Sequence, residues 1–450
     1  MVRAIPRNNM TAEIVIMNRE AIAIAADSAV TLTIEKDQKT FQSANKIFKL
    51  SRYHPVAIMI SGNTNLLRVP WETIIKVYRR ELGTMEFDFL KEYAYNFIDF
   101  LNKRNSFFEE KEQEYHVYKT IYSYYNKIKE EIEENVEDVL GVNEEITDAE
   151  IKRIIANNIK RHYDNFKELE LPPTITKNHL KKLKGKYKEM IDNVKDVIFE
   201  KAIINTRVSN QLTEIGINLL VKFSDWDEDD QTEIVITGFG KEDKFPSLQS
   251  FLVNGMANNI LKYKEGEPIN ISSEKGSIIS PFAQREMVDL FMTGVDGKYE
   301  EAITEDLSDL CESVPGIIIN SLENLPAAEK ESKKRKINDI STAMLMEYVK
   351  GLQEYRDRTF VQPIMNVVTL LPKVELAMLA KSLVFLTTLK RKVTRQQETT
   401  VAEPIDVAVI SKGDGFIWIE RKHYFEREMN PHFLANYYGE EKNGEEKEDN

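Results

Sequence analysis

Two apolar, β-branched runs near the start constrain this chain most: Ala12 to Asn18 and Ala21 to Ala26, parted only by the polar pair Arg19-Glu20. Runs of this composition around a short polar break predict a β-hairpin. A third run, Val56 to Ile60, reads as a buried strand ending at Ser61-Gly62. Strand signals return only far downstream, at Glu233 to Phe239, Leu248 to Gly255, Val407 to Ser411 and Gly415 to Ile419. The last two are joined through Gly413-Asp414-Gly415, a strong hairpin signal because Asp and Gly tolerate positive φ.

Helix fills the space between. Asn65 to Leu82 and Phe87 to Asn102 are amphipathic, and from Ser106 to Asn205 the chain becomes highly charged. There Tyr118, Ile121, Tyr125, Ile128 and Ile132 fall three and four apart, on one helical stripe. Leu183, Tyr187, Met190, Val194 and Val197 form a second stripe, with Pro172-Pro173 between the two. The expectation is an antiparallel helical arm, which either packs only on itself or docks a partner protein. The flanking helices, 65–102 and 210–223, are expected to cover one face of the sheets. A second helical block runs from Gly297 to Pro363, Val374 to Lys392 forms a long helix, and the Glu/Lys/Asn/Gly-rich tail is expected to be disordered. The predicted division is 11–105, 206–296 and 364–435 for the core, with insertions at 106–205 and 297–363 and a tail at 436–450.

Composition narrows the function classes. A net charge of −13 over 450 residues argues against nucleic acid, since phosphate binding needs concentrated Lys and Arg. The one dense basic run, Lys333 to Lys336, reads as a solvated loop. One cysteine, Cys311, excludes an internal disulfide and fits a reducing, cytoplasmic setting. No apolar run approaches the ~20 residues of a membrane helix, and the N-terminus lacks a hydrophobic signal region. The six histidines show no metal-ligand spacing, and Thr237 to Lys241 lacks the spacing of a phosphate loop, so neither a metal nor a cofactor is expected.

The order of motifs carries more. Thr11 opens the first strand, and the second ends in Ala25-Ala26-Asp27-Ser28. Ala44-Asn45-Lys46-Ile47-Phe48-Lys49-Leu50 follows, then the buried strand and Ser61-Gly62. This series resembles the N-terminal portion of proteasome β subunits and their bacterial relatives, closely over Thr11 to Leu82 and more loosely over 233–296 and 374–419. The resemblance implies an α+β fold, a four-layer αββα sandwich of the N-terminal-nucleophile (Ntn) hydrolase kind, here with helical insertions. It also implies Thr11 as nucleophile, Lys46 as the cation beside it, Asp27 as the carboxylate holding Lys46, and Gly62 as an oxyanion donor. Ser280, in Ile279-Ser280-Pro281-Phe282, is set against the family's serine near the nucleophile, and Glu398 against its aspartate. The family's Ser-Gly-Gly reads Val401-Ala402-Glu403 here.

That chemistry is coherent in its own terms. A threonine hydroxyl needs a base, and a free α-amino group on the same residue can serve. Its unperturbed pKa is roughly 8, and a neighbouring ammonium pushes it toward neutrality. A glycine N–H can approach the oxyanion closely. The expected activity is cleavage of a peptide or protein substrate through an acyl-enzyme, by a homo-oligomer. A catalytically silent scaffold and a small-molecule amidase are the alternatives. Ten residues precede Thr11; translation from Met10 followed by removal of that methionine would expose it, making Met1 to Asn9 an annotation artefact.

Overall fold

The computed structural model describes residues 12–34, 37–41, 44–103, 107–142, 145–199, 204–226, 231–321, 326–394, 404–423, 425–426 and 429–432. The first hairpin forms as expected, from β1 (Ala12–Asn18) and β2 (Ala21–Asp27). At its turn Asn18 Oδ1 accepts from the N–H groups of Glu20 and Ala21, at 3.0 and 3.1 Å. Asn18 Nδ2 donates to the carbonyls of Val368 and Leu371, which pins the turn to the far end of the chain.

Between β2 and Ala44, where the sequence reading placed no element, stands a further hairpin, β3 (Val30–Ile34) with β4 (Asp37–Phe41). Next come β5 (Ile47–Lys49) and β6 (Val56–Gly62), then a small hairpin of β7 (Asn65–Leu66) and β8 (Val69–Pro70). The helix expected from Asn65 therefore starts later, as α1 (Trp71–Leu82), followed by α2 (Leu90–Lys103). Pro70 explains the delay. It disfavours helical geometry in the residue before it and can itself stand only at a helix start.

The charged region holds three helices rather than a pair: α3 (Glu110–Val142), α4 (Asp148–Glu168) and α5 (Lys177–Phe199). The additional start is a capping box, in which Thr147 and Glu150 satisfy each other's backbone N–H. Helix α6 (Thr206–Leu219) joins them, and Val208, Leu212 and Ile215 share a core with Ile121, Tyr125, Ile159, Tyr187 and Ile191. The helix assigned from sequence to the sheet face thus belongs to this bundle. Tyr118 and Val197, placed on the inner stripes, are exposed.

The second half supplies β9 (Thr232–Gly238), β10 (Ser247–Ala257), β11 (Ile260–Glu265), β12 (Ile269–Asn270) and β13 (Ser277–Ala283). Helices α7 (Glu286–Thr293), α8 (Gly297–Ser321) and α9 (Ala327–Arg356) follow. After a π-helical turn at Asp357–Val361 come α10 (Gln362–Leu370), α11 (Lys373–Thr394), β14 (Ile405–Ser411) and β15 (Gly415–Glu420).

The fold is mixed α+β, built on two antiparallel sheets ordered β13-β1-β2-β14-β15 and β11-β10-β9-β6-β5. Side-chain alternation along each strand assigns its two faces. Ala12, Ile14 and Ile16 of β1 pack against Leu376, Ala380 and Leu383 of α11. Val15 and Met17 face the other way, onto Ala57 and Met59 of β6 and Val235 of β9. On the second sheet Ile58, Ile60, Ile234 and Ile236 turn outward onto Trp71 and Ile74 of α1 and Tyr93 and Phe97 of α2. Among the described residues no helix is long and apolar enough to cross a membrane.

Candidate active site

The odd-numbered positions of β1 face the second sheet. At Val15 and Met17 that face is apolar, but one turn of the pleat earlier it carries Glu13, 2% exposed. Asp27 ends β2 with no exposed surface, and Lys46, 3% exposed, directly precedes β5. The three meet. Lys46 Nζ lies 2.5 Å from Asp27 Oδ1 and 2.8 Å from Glu13 Oε1. Arg391, from the last turn of α11, reaches the other oxygen of Asp27 at 3.1 Å. The backbone fixes the lysine too, because its carbonyl accepts from the N–H of Ile60 at 2.9 Å.

Charges this deeply buried persist only when paired. Burial by itself favours neutral Lys46, yet Asp27 and Glu13 together outweigh it and hold the ammonium pKa above its ordinary value. Burial raises the Glu13 carboxyl, Lys46 opposes the shift, and the Asp27 charge adds to it.

Glu13 also bridges the sheets: Ser61 Oγ donates to its Oε2 at 3.1 Å. Ser61 stands opposite Glu233 on β9. Burial, with the Glu13 charge as a second cause, pushes Glu233 up to about 7, partly countered by Arg285 and a hydrogen bond from Ser250. On the other flank, Asp406 of β14 is opposite Ala26 and binds Lys422 Nζ at 2.5 Å. Burial lowers the Lys422 pKa despite that partner, and the Lys46 charge contributes.

Gly62 ends β6 at φ +90°, and a Cβ there would stand 2.4 Å from the carbonyl oxygen of Gln231. Only glycine fits both the left-handed backbone and that approach. The structure thus brings Asp27 and Lys46 together and sets Gly62 beside the serine that touches Glu13. It does not bring Ser280 to them. Ser280 is opposite Val15, while Phe282 is opposite Glu13, so Ser280 lies two residues, roughly 7 Å, further along the sheet. Thr11 and Glu398 lie outside the described residues, as does the tail from 436.

Sequence reasoning missed Glu13, Glu233, Arg391, Asp406 and Lys422. A signal for two of them was present: Glu13 and Asp406 are lone charges inside otherwise apolar runs, at the parity that the neighbouring strand residues bury. Among the described residues no three His, Cys, Asp or Glu side chains gather as a metal site.

No family model matches the chain. No curated protein matches it. Among solved structures the chain is similar to an Anbu protein, the Gly-1 mutant from Hyphomicrobium sp. strain MC1, at a TM-score of 0.25 and 9% identity, over 98% of this chain and 100% of that one. A likeness at that level carries no weight for fold or function, which leaves the residues themselves.

Proposed function

We propose that this chain is a proteasome-like Ntn hydrolase that cleaves amide bonds through Thr11. The observation that carries the reading is the buried Lys46, clamped by Asp27 and Glu13 at the start of β1, where Thr11 immediately precedes the strand. An ion cluster of this kind costs several kcal/mol of desolvation per charge, and stability alone gives little reason to keep it. Perturbed, mutually paired charges of this sort concentrate at functional sites. The order of helices α10 and α11, two facing sheets, and helices α1 and α2 fits the four-layer αββα sandwich such enzymes use.

In this reading the Thr11 α-amine takes the hydroxyl proton as the Thr11 oxygen bonds to the substrate carbonyl carbon. Lys46 keeps the amine from being too basic, and Asp27 keeps Lys46 charged and in place. The Gly62 backbone donates to the oxyanion. Collapse breaks the C–N bond, the leaving amine takes the proton from the α-ammonium, and water then cleaves the acyl ester and restores the hydroxyl. Residues 231–296 and 364–435 would complete the core begun by 11–105, with 297–363 and the bundle, extended through α6, as insertions.

The reading requires Thr11 to be the first residue of the working protein. Intact-mass measurement of the protein from its native host tests this. A mass corresponding to a chain starting at Thr11 is expected. A start at Met1 or Met10 would leave Thr11 without the free α-amine that serves as its base, and would favour a catalytically silent scaffold. The largely uncovered helical hairpin α8–α9 favours that second reading, being a surface suited to assembly rather than chemistry.

A further inference from the structure

A pocket of about 210 Å³ opens beside Asn63, the residue after Gly62, between the β7–β8 hairpin, the first turns of α3 and β9 and β10. A cavity of about 150 Å³ already admits a ring the size of benzene, so this one has room for an amino-acid side chain. Its helical wall is Glu112, Tyr115, His116 and Lys119, three and four apart and therefore on one stripe of α3. By the same count Val117, Ile121 and Tyr125, which α3 gives to the bundle core, face the other way. The helix comes close because position 255 is glycine. At φ +87° a Cβ there would stand 2.2 Å from the His116 Nε2.

Across the pocket Leu67 and Arg68 form the two-residue turn of the hairpin, with φ +46° and +66°. Such turns are ordinarily left to Asn and Gly, and bulky residues held in this backbone concentrate at ligand clamps and active sites. The Arg68 guanidinium is held from α3, 4.1 Å from the Tyr115 ring centroid and 3.4 Å from a Glu112 oxygen. A guanidinium has five N–H donors, so one carboxylate leaves others to offer. Lys119, exposed one turn further on, has no carboxylate partner among the described residues. Glu112 thus answers only one of two cations, and the pocket is locally positive on a chain of net charge −13. Leu66, Leu67 and Val253 add apolar lining. We propose that this pocket binds a carboxylate on a short apolar stem, the side chain of an acidic residue in a peptide, with Lys119 and Arg68 as its donors. The choice of a peptide as the source rests on the reading of the chain as an amide hydrolase; the choice of a carboxylate does not. The helical insertion then supplies one wall of a binding site on the core.

The test is titration calorimetry on the full chain carrying Thr11→Ala, so that no hydrolysis accompanies binding. The ligands are Ala-Glu-Ala and Ala-Gln-Ala, acetylated and amidated so that one side chain is their sole difference, and free glutarate. The Glu peptide is expected to bind about tenfold more tightly than the Gln peptide, the scale of a charge-assisted hydrogen bond. Lys119→Glu should abolish that preference and Lys119→Arg should keep it, both with an unchanged melting temperature because Lys119 is exposed. Arg68→Ala should weaken the Glu peptide about tenfold. Equal affinity for the two peptides, no binding of either at millimolar concentration, or a preference that survives Lys119→Glu would overturn the proposal. Glutarate binding as tightly as the Glu peptide would overturn the peptide as source. The titration needs no turnover, so a carboxylate preference in a chain whose Thr11 never acylates would retain the pocket and remove the hydrolase.

Discussion

Removing the ammonium of Lys46 would leave Glu13 and Asp27 buried with one cation fewer, and breaking a buried pair from one side costs roughly 3–5 kcal/mol. Lys46→Met is therefore expected to lower stability by about that amount in denaturant unfolding, whereas Thr11→Ala should leave it unchanged. Loss of activity in a Lys46 variant must accordingly be read beside its melting curve. Glu233 offers a test of sign. Its folded pKa, about 7, is raised from the ordinary carboxyl value of 4.5. Its contribution to stability is complete below 4.5 and is lost as pH rises toward 7. Glu233→Gln should flatten that decline and be the more stable form at pH 8, by about 1–3 kcal/mol after allowing for partial solvation. A steeper decline in the variant would contradict the assignment. These residues also mark what a sequence discloses. Asp27 and Lys46 were legible through their place in a motif. Arg391 was not, because it lies 364 positions from Asp27 and only the packing of α11 on β2 brings them together.

At the scale of elements, the bundle α3–α6 has a core of its own, and α6 supplies Val208, Leu212, Ile215 and Leu219 to it. Replacing 106–205 by a short Gly/Ser linker would strip that face bare. The shortened chain is expected to aggregate or bind a hydrophobic dye, while extending the deletion through 222 should give a soluble core with cooperative unfolding. Equal behaviour of the two deletions would show that α6 needs no bundle. The strands with continuous apolar runs were readable because burial on both faces leaves no polar position. Strand β4 was not, since Asp, Gln, Lys and Thr fill it up to Phe41, whereas the alternation of Val30, Leu32 and Ile34 with threonine in β3 was a strand signal that the reading passed over. The boundary at α6 escaped for another reason: its apolar spacing serves a helix on a sheet or in a bundle equally well, and only the tertiary partner decides.

Across the whole molecule, exposed apolar side chains concentrate at the opposite end of the chain from the bundle. None of the described side chains of α9 is buried, and Ile340, Met344, Tyr348, Leu352 and Tyr355 form an uncovered stripe along it. Helix α11 carries Val374, Met378, Phe385 and Leu389 outward as well. Monomers rarely leave such patches open, and two separate apolar faces on one chain let copies cover each other. Light scattering is expected to give a multiple of 52.2 kDa, and Ile340→Ser with Met344→Ser should lower that multiple without changing the fold. A monomeric wild type would remove this element of the proposal. The central claim, that Thr11 becomes a nucleophile beside the Lys46 cluster, is tested most directly by a threonine-directed peptide epoxyketone and intact mass. A chain beginning at Thr11 is predicted to gain one adduct, mapped to Thr11, while the chain retaining residues 1–10 and the Thr11→Ala variant gain none. No adduct on the chain that begins at Thr11, or an adduct that survives Thr11→Ala, would contradict it.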